Sequence, residues 1–311
     1  MNWGSLANAG ALLLAVVLTI HLGRGRDKHA CASAPERQPP GKTTMVDATG
    51  HEVPIKPYAR IMSTNLVLDS LLLELAEPDR VLAFSRSAAE RHRDGYRYAG
   101  RPAVDGFGPL EALIALHPDL VLINSFGTSG RASRLRAAGV EVFDFGELRG
   151  VDSLLRMARD LTELLGAPER GQNFARRFAQ RMNRVAAGLP TYQRKTALFL
   201  TNIGNQIQGG TTGTSWHDIL VAAGLIDAAA DRYRDWPTYS PEQLLVLSPD
   251  VIVTKDGMAS VVCGFPGADR LAACTKPGHI VEIPGDLVDE PGLAMLDAAE
   301  EIHRRVYGVE E

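Results

Sequence analysis

Three neighbouring residues carry the side chains of a hydrolytic triad. Ser215, His217 and Asp218 supply a hydroxyl, an imidazole and a carboxylate. A nucleophilic triad needs these groups to converge on one another, and neighbours on one turn of a helix do not converge. The chain also has no Gly-x-Ser-x-Gly segment, which would present a serine on a sharp turn between strand and helix. The sequence therefore predicts no catalytic residues, and we expect the protein not to be an enzyme.

The metal-binding residue types lack the spacing of a metal centre. The chain has no His-x-x-x-His or Cys-x-x-Cys pair. The glycine-rich stretch 209–215 lacks the Lys-Ser/Thr ending of a phosphate-binding loop, so we interpret it as a turn. We predict neither a metal site nor a cofactor, although metal ligands gathered from distant loops stay open. The histidines beyond the N-terminal segment are scattered: His51, His92, His117, His217, His279 and His303.

Short β-rich runs alternate with helical periodicity in both halves of the chain. This alternation is typical of βαβ units and a parallel sheet. We predict an α/β fold with two Rossmann-like lobes, each built on a parallel sheet. In the first half the runs are 60–63, 66–75, 80–84, 110–116, 120–123, 131–138 and 140–145. In the second half they are 196–201, 216–223, 241–247, 250–254, 267–273, 280–283 and a last helix at 292–307.

The two halves also share an internal repeat. A unit made of a helix, a Pro-Asp pair and a strand occurs twice. A glutamate stands near the start of the helix in each copy, Glu111 in the first and Glu242 in the second. A second pair of segments, 132–137 and 268–273, agrees at a similar spacing. The repeat favours two lobes of similar plan. The matched positions of the first unit are Glu111, Leu116, Pro118 and Asp119 against Glu242, Leu247, Pro249 and Asp250.

A long helical segment, 151–189, separates the two copies. Leucines recur at three- and four-residue steps up to Gly166, and Pro168 stands where a second helix tolerates proline best. A helix of roughly 21 residues would be about 30 Å long, the diameter of a small domain. We therefore expect one long α-helix to join the lobes and to limit their relative motion. The predicted domains are 45–150, the helical segment 151–189 and 190–311.

Side chains suited to binding follow the predicted strands. In open parallel sheets, ligands bind beyond the carboxyl ends of the strands. The residues there are aromatic, small or amide-bearing, with arginines nearby, which favours a binding site for a large ligand over a reaction centre. The predicted ligand-binding residues are Asn65, Arg86, Tyr96, Phe107, Phe126, Trp236 and Tyr239.

The first 44 residues predict an export signal or membrane anchor followed by a flexible tether. The apolar run 9–22 has roughly 14 residues, short of the about 20 that a spanning helix needs. Basic residues follow this run and none precede it, the reverse of a standard signal. The sequence leaves open whether this leader is cleaved, whether Cys31 is lipidated and whether the start codon is misassigned. We expect a periplasmic or other extracytoplasmic location.

The amino-acid composition limits the kinds of molecule that the protein is expected to bind. The chain has 33 Lys and Arg against 37 Asp and Glu, and this acidic balance opposes nucleic-acid binding. Beyond Cys31, only Cys263 and Cys274 remain. Either they form a disulfide in an oxidising compartment or they are two small buried thiols.

From about Val46 to Val306 the chain resembles the periplasmic substrate-binding proteins of ABC importers for cobalamin, ferric siderophores and haem. The resemblance rests on the two Glu-to-Pro-Asp units, the 59–63 segment, Trp236-Pro237 and the last helix. It implies two α/β lobes joined by a rigid helix, and a cleft that binds a bulky metal complex with little closure. It also implies that Glu111 and Glu242 dock to a permease dimer, which works with ATPase subunits. The 224–227 segment, Gly-Leu-Ile-Asp, departs from the family's commoner pattern.

Two other interpretations remain. A protein of the same fold could bind a small anion or a free metal, which would require side chains clustered around one small void. A duplicated α/β scaffold could also carry an enzyme, which would require a buried acid-base pair in the cleft.

Overall fold

Two parallel sheets, one in each half of the chain, form the framework of the fold. The computed structural model describes residues 42–91, 94–124 and 130–308, so the predicted signal, Cys31 and most of the tether lie outside the described residues. The strands are β1 Thr44–Val46, β2 Glu52–Pro54, β3 Ile61–Ser63, β4 Val81–Ser85, β5 Ala103–Val104, β6 Leu120–Ile123, β7 Val142–Asp144, β8 Thr196–Phe199, β9 Thr201–Ile203, β10 Gln206–Gln208, β11 Ile226–Asp227, β12 Val251–Lys255 and β13 Ile280–Ile283.

Helices cover both faces of the two sheets. None of those described is long and apolar enough to cross a membrane. The helices are α1 Leu66–Leu75, α2 Arg86–Arg91, α3 Leu110–Ile114, α4 Arg131–Ala137, α5 Val151–Leu164, α6 Pro168–Val185, α7 Ser215–Ala222, α8 Pro241–Leu247, α9 Ala259–Cys263, α10 Ala272–Thr275, α11 Gly285–Asp289 and α12 Ala294–Tyr307.

The N-terminal lobe contains a five-stranded sheet in the order β5-β4-β3-β6-β7, with every pair parallel. Its strands are apolar on both faces because both faces are covered. Ile61 belongs to the core shared with α1 and α5, whereas its neighbour Met62 belongs to a separate core with α3 and α4. The helices α3 and α4 therefore lie together on one face of this sheet.

The C-terminal lobe contains a four-stranded sheet in the order β11-β8-β12-β13, also parallel. Phe199 packs with α7 and α12 on one face, and Leu198 packs with α8 and α9 on the other. The first of these cores continues through α5 and α6 into the N-terminal lobe. The two lobes thus share one continuous hydrophobic core, and the predicted α/β class with two parallel-sheet lobes is confirmed.

The helices α5 and α6 form the connection between the lobes. They pack against each other as a hairpin. A Cβ atom on Gly171 would lie 2.1 Å from Thr162 Oγ1 and 2.7 Å from the Ala158 carbonyl oxygen, so only glycine permits this approach. At the start of α6, Arg170 Nη1 donates to Leu75 O at 2.8 Å, and near its end Arg181 pairs with Glu300 of α12 at 3.0 Å. The 18 residues of α6 therefore run from one lobe to the other.

The two copies of the repeat place their aspartates in the same structural role. Asp119 accepts hydrogen bonds from the Ala59 and Arg60 amides at 2.7 and 2.9 Å, immediately before β3. Asp250 accepts from the Thr196 amide at 2.9 Å, at the start of β8. In each copy the Pro-Asp unit ties the beginning of one strand to the beginning of the parallel strand beside it.

Two segments differ from the sequence-based expectation. The predicted helix at 267–273 is a 3₁₀ turn, Ala268–Arg270, followed by the short helix α10, because Leu271 between them is extended. A disulfide joins Cys263 to Cys274 across this segment, with a Cα–Cα distance of 5.5 Å, which decides the alternative left open above. The predicted strand 196–201 is split between β8 and β9, since β9 turns away to pair with β10.

Candidate functional site

Three predicted ligand-binding residues lie along one edge of the N-terminal sheet. Asn65, Arg86 and Phe107 follow the carboxyl ends of β3, β4 and β5, which are adjacent strands. The loop that carries Phe107 passes directly over the end of β3. A Cβ atom on Gly106 would lie 1.8 Å from the Thr64 carbonyl oxygen, so glycine is required there. The sheet order therefore brings these three residues to the same edge.

Each of the three has a different local environment. Asn65 caps α1, where its Oδ1 accepts from the Leu68 amide at 3.1 Å, while its Nδ2 has no hydrogen-bond partner within the described ranges. Arg86 is exposed at the start of α2, and its Nη1 lies 3.7 Å from Glu90 Oε1. The Phe107 side chain is 67% exposed.

The other predicted aromatic residues separate into exposed and buried rings. Tyr96, in the turn after α2, is 76% exposed, and Trp236 is 45% exposed. Tyr239 is only 2% exposed and packs edge-on against Tyr233 at 5.3 Å, so its ring belongs to the core of the C-terminal lobe. We therefore leave Tyr239 out of the ligand surface proposed below. Phe126 lies outside the described residues.

Trp236 lies where the edges of the two lobes meet. Its indole packs edge-on against Phe199 at 6.2 Å. The preceding residue, Asp235, accepts from Arg149 of the N-terminal lobe, with Nη1 and Oδ1 3.0 Å apart. The same junction is closed by Asp218, whose carboxylate accepts from the Val151 amide at 2.7 Å and so caps α5 from the opposite lobe. These contacts place the Trp236 loop against the N-terminal lobe.

The three residues with triad side chains have separate structural partners. Asp218 caps α5, as described above. His217 Nδ1 lies 2.8 Å from Asp227 Oδ2, and Thr211 Oγ1 donates to the same oxygen at 2.7 Å. Ser215 is buried at the start of α7. Because His217 and Asp218 are engaged in different directions, the three do not form a nucleophilic relay.

A buried carboxylate beneath the N-terminal edge was not anticipated from the sequence. Asp69 of α1 is fully buried and accepts hydrogen bonds from the hydroxyls of Ser63 and Ser85, at the ends of β3 and β4. The Ser85 amide also donates to it, at 3.1 Å. Burial raises the pKa of Asp69 to about 7, although the serine hydrogen bonds oppose the shift. The acidic residue in the mostly apolar helix α1 was the available signal.

The repeat glutamates occupy matching positions on the two lobes. Glu111 and Glu242 are both exposed in the first turns of α3 and α8. The Ser240 hydroxyl donates to Glu242 at 2.8 Å, and this hydrogen bond holds the pKa of Glu242 below its usual value. Glu111 makes no ion pair within the described part of the chain. Among the same residues, no group of three His, Cys, Asp or Glu side chains could hold a metal ion.

Comparison with known proteins agrees with this architecture. The model of the periplasmic binding protein family matches residues 63–307. The chain is 26% identical to a cobalamin-binding protein of Halobacterium salinarum, over 94% of this chain and 81% of that protein. It is 24% identical to an uncharacterized ABC transporter substrate-binding lipoprotein of Bacillus subtilis, over 96% and 95%.

Solved structures show the same fold. The periplasmic haem-binding protein RhuT from Roseiflexus sp. RS-1, in its apo form, superposes with a TM-score of 0.69 at 22% identity, covering 81% of this chain and 98% of that one. The family match extends over most of the described chain, from the end of β3 to the last helix. The chain belongs to the periplasmic binding protein family.

The buried Asp69 predicts a specific pH dependence of stability. Its pKa is about 7 in the folded protein and near 3.8 when unfolded, so between these values the folded state holds a proton that the unfolded state releases. Its contribution to stability is therefore lost as pH rises from about 4 to about 7. We expect Asp69→Asn to gain stability relative to the native protein across this window, measured by urea unfolding at several pH values.

The matched control is Asp79→Asn, which changes an exposed aspartate in the turn after α1. Its difference from the native protein should not change over the same window. A constant difference between Asp69→Asn and the native protein from pH 4 to pH 8 would show that folding does not raise the pKa of Asp69.

Proposed function

We propose that this protein captures a bulky metal complex between its two lobes and delivers it to an ABC-type permease. The main observation in support is Trp236, whose half-exposed indole lies where the lobe edges meet and packs edge-on against Phe199. An exposed aromatic ring of this size gains stability by stacking on or packing against a large flat ligand. Tyr96 and Phe107 add two more exposed rings on segments that follow strand ends of the N-terminal lobe.

The relatives support the class of ligand. The Halobacterium protein is named for cobalamin and the Roseiflexus protein for haem. The proposed cargo is therefore cobalamin, haem or a ferric siderophore, held as a transported ligand rather than a cofactor. Binding residues in the proposal are Asn65, Arg86, Tyr96, Phe107, Phe126 and Trp236. Proteins named for binding, not for catalysis, cover most of the chain, and we propose no enzymatic step.

The proposal includes a location outside the cytoplasm, with the N-terminal segment as export signal or membrane attachment. A lipoprotein relative covers 96% of the chain, which supports such an attachment. A free-metal ligand is less well supported, since no three-residue metal cluster is found in the part of the chain that the structure describes. The partner in the proposal is a permease dimer with its ATPase subunits.

Cargo identity can be tested by tryptophan fluorescence. We expect one of cyanocobalamin, haemin or a ferric siderophore to quench the mature protein's emission with saturation at micromolar concentration or below. Trp236→Ala should then weaken that ligand at least about tenfold, because an aromatic contact is lost from the ligand surface. Affinity of the variant is measured by calorimetry, which does not depend on the indole.

The control for this test is Tyr192→Ala, which removes an aromatic ring that is 84% exposed in the turn after α6, outside the proposed surface. Its affinity should equal that of the native protein. Equal affinity in Trp236→Ala, with the melting temperature preserved, would remove Trp236 from the binding surface.

Permease docking can be tested at Glu111 and Glu242. Two like-placed acids, one on each lobe, form equivalent patches that a two-fold symmetric permease can contact through basic residues. We expect Glu111→Ala and Glu242→Ala each to weaken binding to the cognate permease in lipid nanodiscs, and the double variant to weaken it further. Cargo affinity and melting temperature should stay close to native values, since both side chains are exposed.

An exposed acid in a first helical turn also stabilises its own helix through the helix dipole. If the main effect of these substitutions is a lower melting temperature, the two glutamates serve only to stabilise their helices. Normal transport by the double variant would contradict the docking role directly.

A further inference from the structure

A groove lies beside Glu111 on the outer face of the N-terminal lobe. Its volume is about 680 Å³. It runs between the helices α3 and α4, which share the sheet face that does not lead to the connecting helices. We call it the Arg131 groove, and its principal lining residues are Phe107, Leu110, Glu111, Ile114, Arg131 and Arg134.

Arg131 is the unusual member of this groove. It is only 6% exposed, yet its guanidinium makes a single hydrogen bond, from Nη1 to the Gly108 carbonyl oxygen at 3.0 Å. Its Nε and Nη2 atoms are buried without a hydrogen-bond partner among the described residues. Buried charges in proteins are normally paired, because an unpaired one loses its hydration without compensation. Burial lowers the pKa of Arg131, and so does the nearby charge of Arg134, whereas the charge of Asp105 opposes the shift.

The corresponding place on the C-terminal lobe is closed. In the repeat, Gly267 stands at the position of Arg131, and Pro241 at the position of Leu110. A Cβ atom on Gly267 would lie 3.0 Å from the Pro241 Cβ, so glycine packs directly against the start of α8. The two lobes thus present like-placed glutamates, but within the described ranges only the N-terminal lobe adds a buried arginine beside its glutamate.

We propose that the Arg131 groove receives an acidic side chain of the permease when the protein docks through Glu111. This inference rests on the proposed function and specifies the chemistry of its partner. A carboxylate fits the vacant donors of a guanidinium in a planar, two-bonded geometry, and Arg134 adds a second positive charge at the rim. Phe107, Leu110 and Ile114 supply apolar walls that exclude water from the pair. Docking at this lobe then uses charges of both signs, and the opposite lobe uses Glu242 without such a partner.

The side chain belongs to the permease rather than to the cargo because of where the groove lies. It opens on the face covered by α3 and α4, and it shares Glu111 with the docking surface. Of the described cargo residues, only Phe107 lines the groove; Asn65, Arg86, Tyr96 and Trp236 do not.

The test compares Arg131→Met with the native full-length protein. We expect binding to the cognate permease and ATPase complex in nanodiscs to weaken at least about tenfold, because a permease carboxylate loses its partner. Cargo affinity should be unchanged. The melting temperature should be equal or higher, since methionine of similar length replaces a buried guanidinium with two donor atoms that have no partner among the described residues. Arg134→Met, at an exposed position, should weaken docking by a smaller factor of about three.

The control is Arg177→Met, an exposed arginine on α6 away from the groove, which should dock normally. Native docking by Arg131→Met would overturn the inference, as would a loss of cargo affinity. If Arg131→Met does not fold, native docking by Arg134→Met overturns it. Sodium acetate or phosphate that raises the melting temperature of the native protein, but not of Arg131→Met, would assign the groove to a free small anion instead.

The result also separates this inference from the proposed function. If the native protein does not bind the permease, the proposed function itself is wrong. If the native protein binds the permease, and Glu111→Ala and Glu242→Ala weaken this binding while Arg131→Met does not, only the role of Arg131 is wrong.

Discussion

The close packing of α5 against α6 at Gly171 determines the arrangement of everything else. A helix normally prefers alanine to glycine by about 1 kcal/mol, so the glycine is retained against local preference. Without a side chain at this position, Thr162 and the Ala158 carbonyl can contact the α6 backbone, and the two helices form a closely packed hairpin. Both helices also belong to the core that continues from one sheet to the other. The two lobes are therefore joined through the packed side chains of these helices.

Contacts at the junction of the lobes reinforce this geometry. Asp218 caps α5 from the C-terminal lobe, and Asp235 pairs with Arg149 beside Trp236. The Asp218 carboxylate accepts from an amide that would otherwise have no partner at the start of α5. This contact both stabilises α5 and fixes its direction. The proposed cargo surface thus begins at a place where both lobes are already held. Preorganisation of this kind reduces the ordering cost of binding.

Much of the fold could be predicted because its signals are local. The limits of α1, β6, α8 and β13 follow from apolar periodicity, and the repeated Pro-Asp unit marks both copies of one supersecondary element. The split of 196–201 into β8 and β9 could not be predicted, since strand pairing with β10 decides it. Tyr239 and Trp236 show the same limit for the site. Both are aromatic residues in one loop region, yet only the tertiary packing against Tyr233 or Phe199 decides which ring is buried. The burial of Arg131 likewise depends on the approach of α3 and α4.

Small-angle X-ray scattering tests the central claim, that packed helices hold the lobes at one separation. The mature protein is measured alone and with whichever of cyanocobalamin, haemin or a ferric siderophore saturates it. The account predicts a radius of gyration that is the same within experimental error in both states, because α6 spans the lobes as one 18-residue helix within a shared core. A large compaction on ligand addition, comparable to the closing of a binding protein hinged on flexible strands, would contradict it.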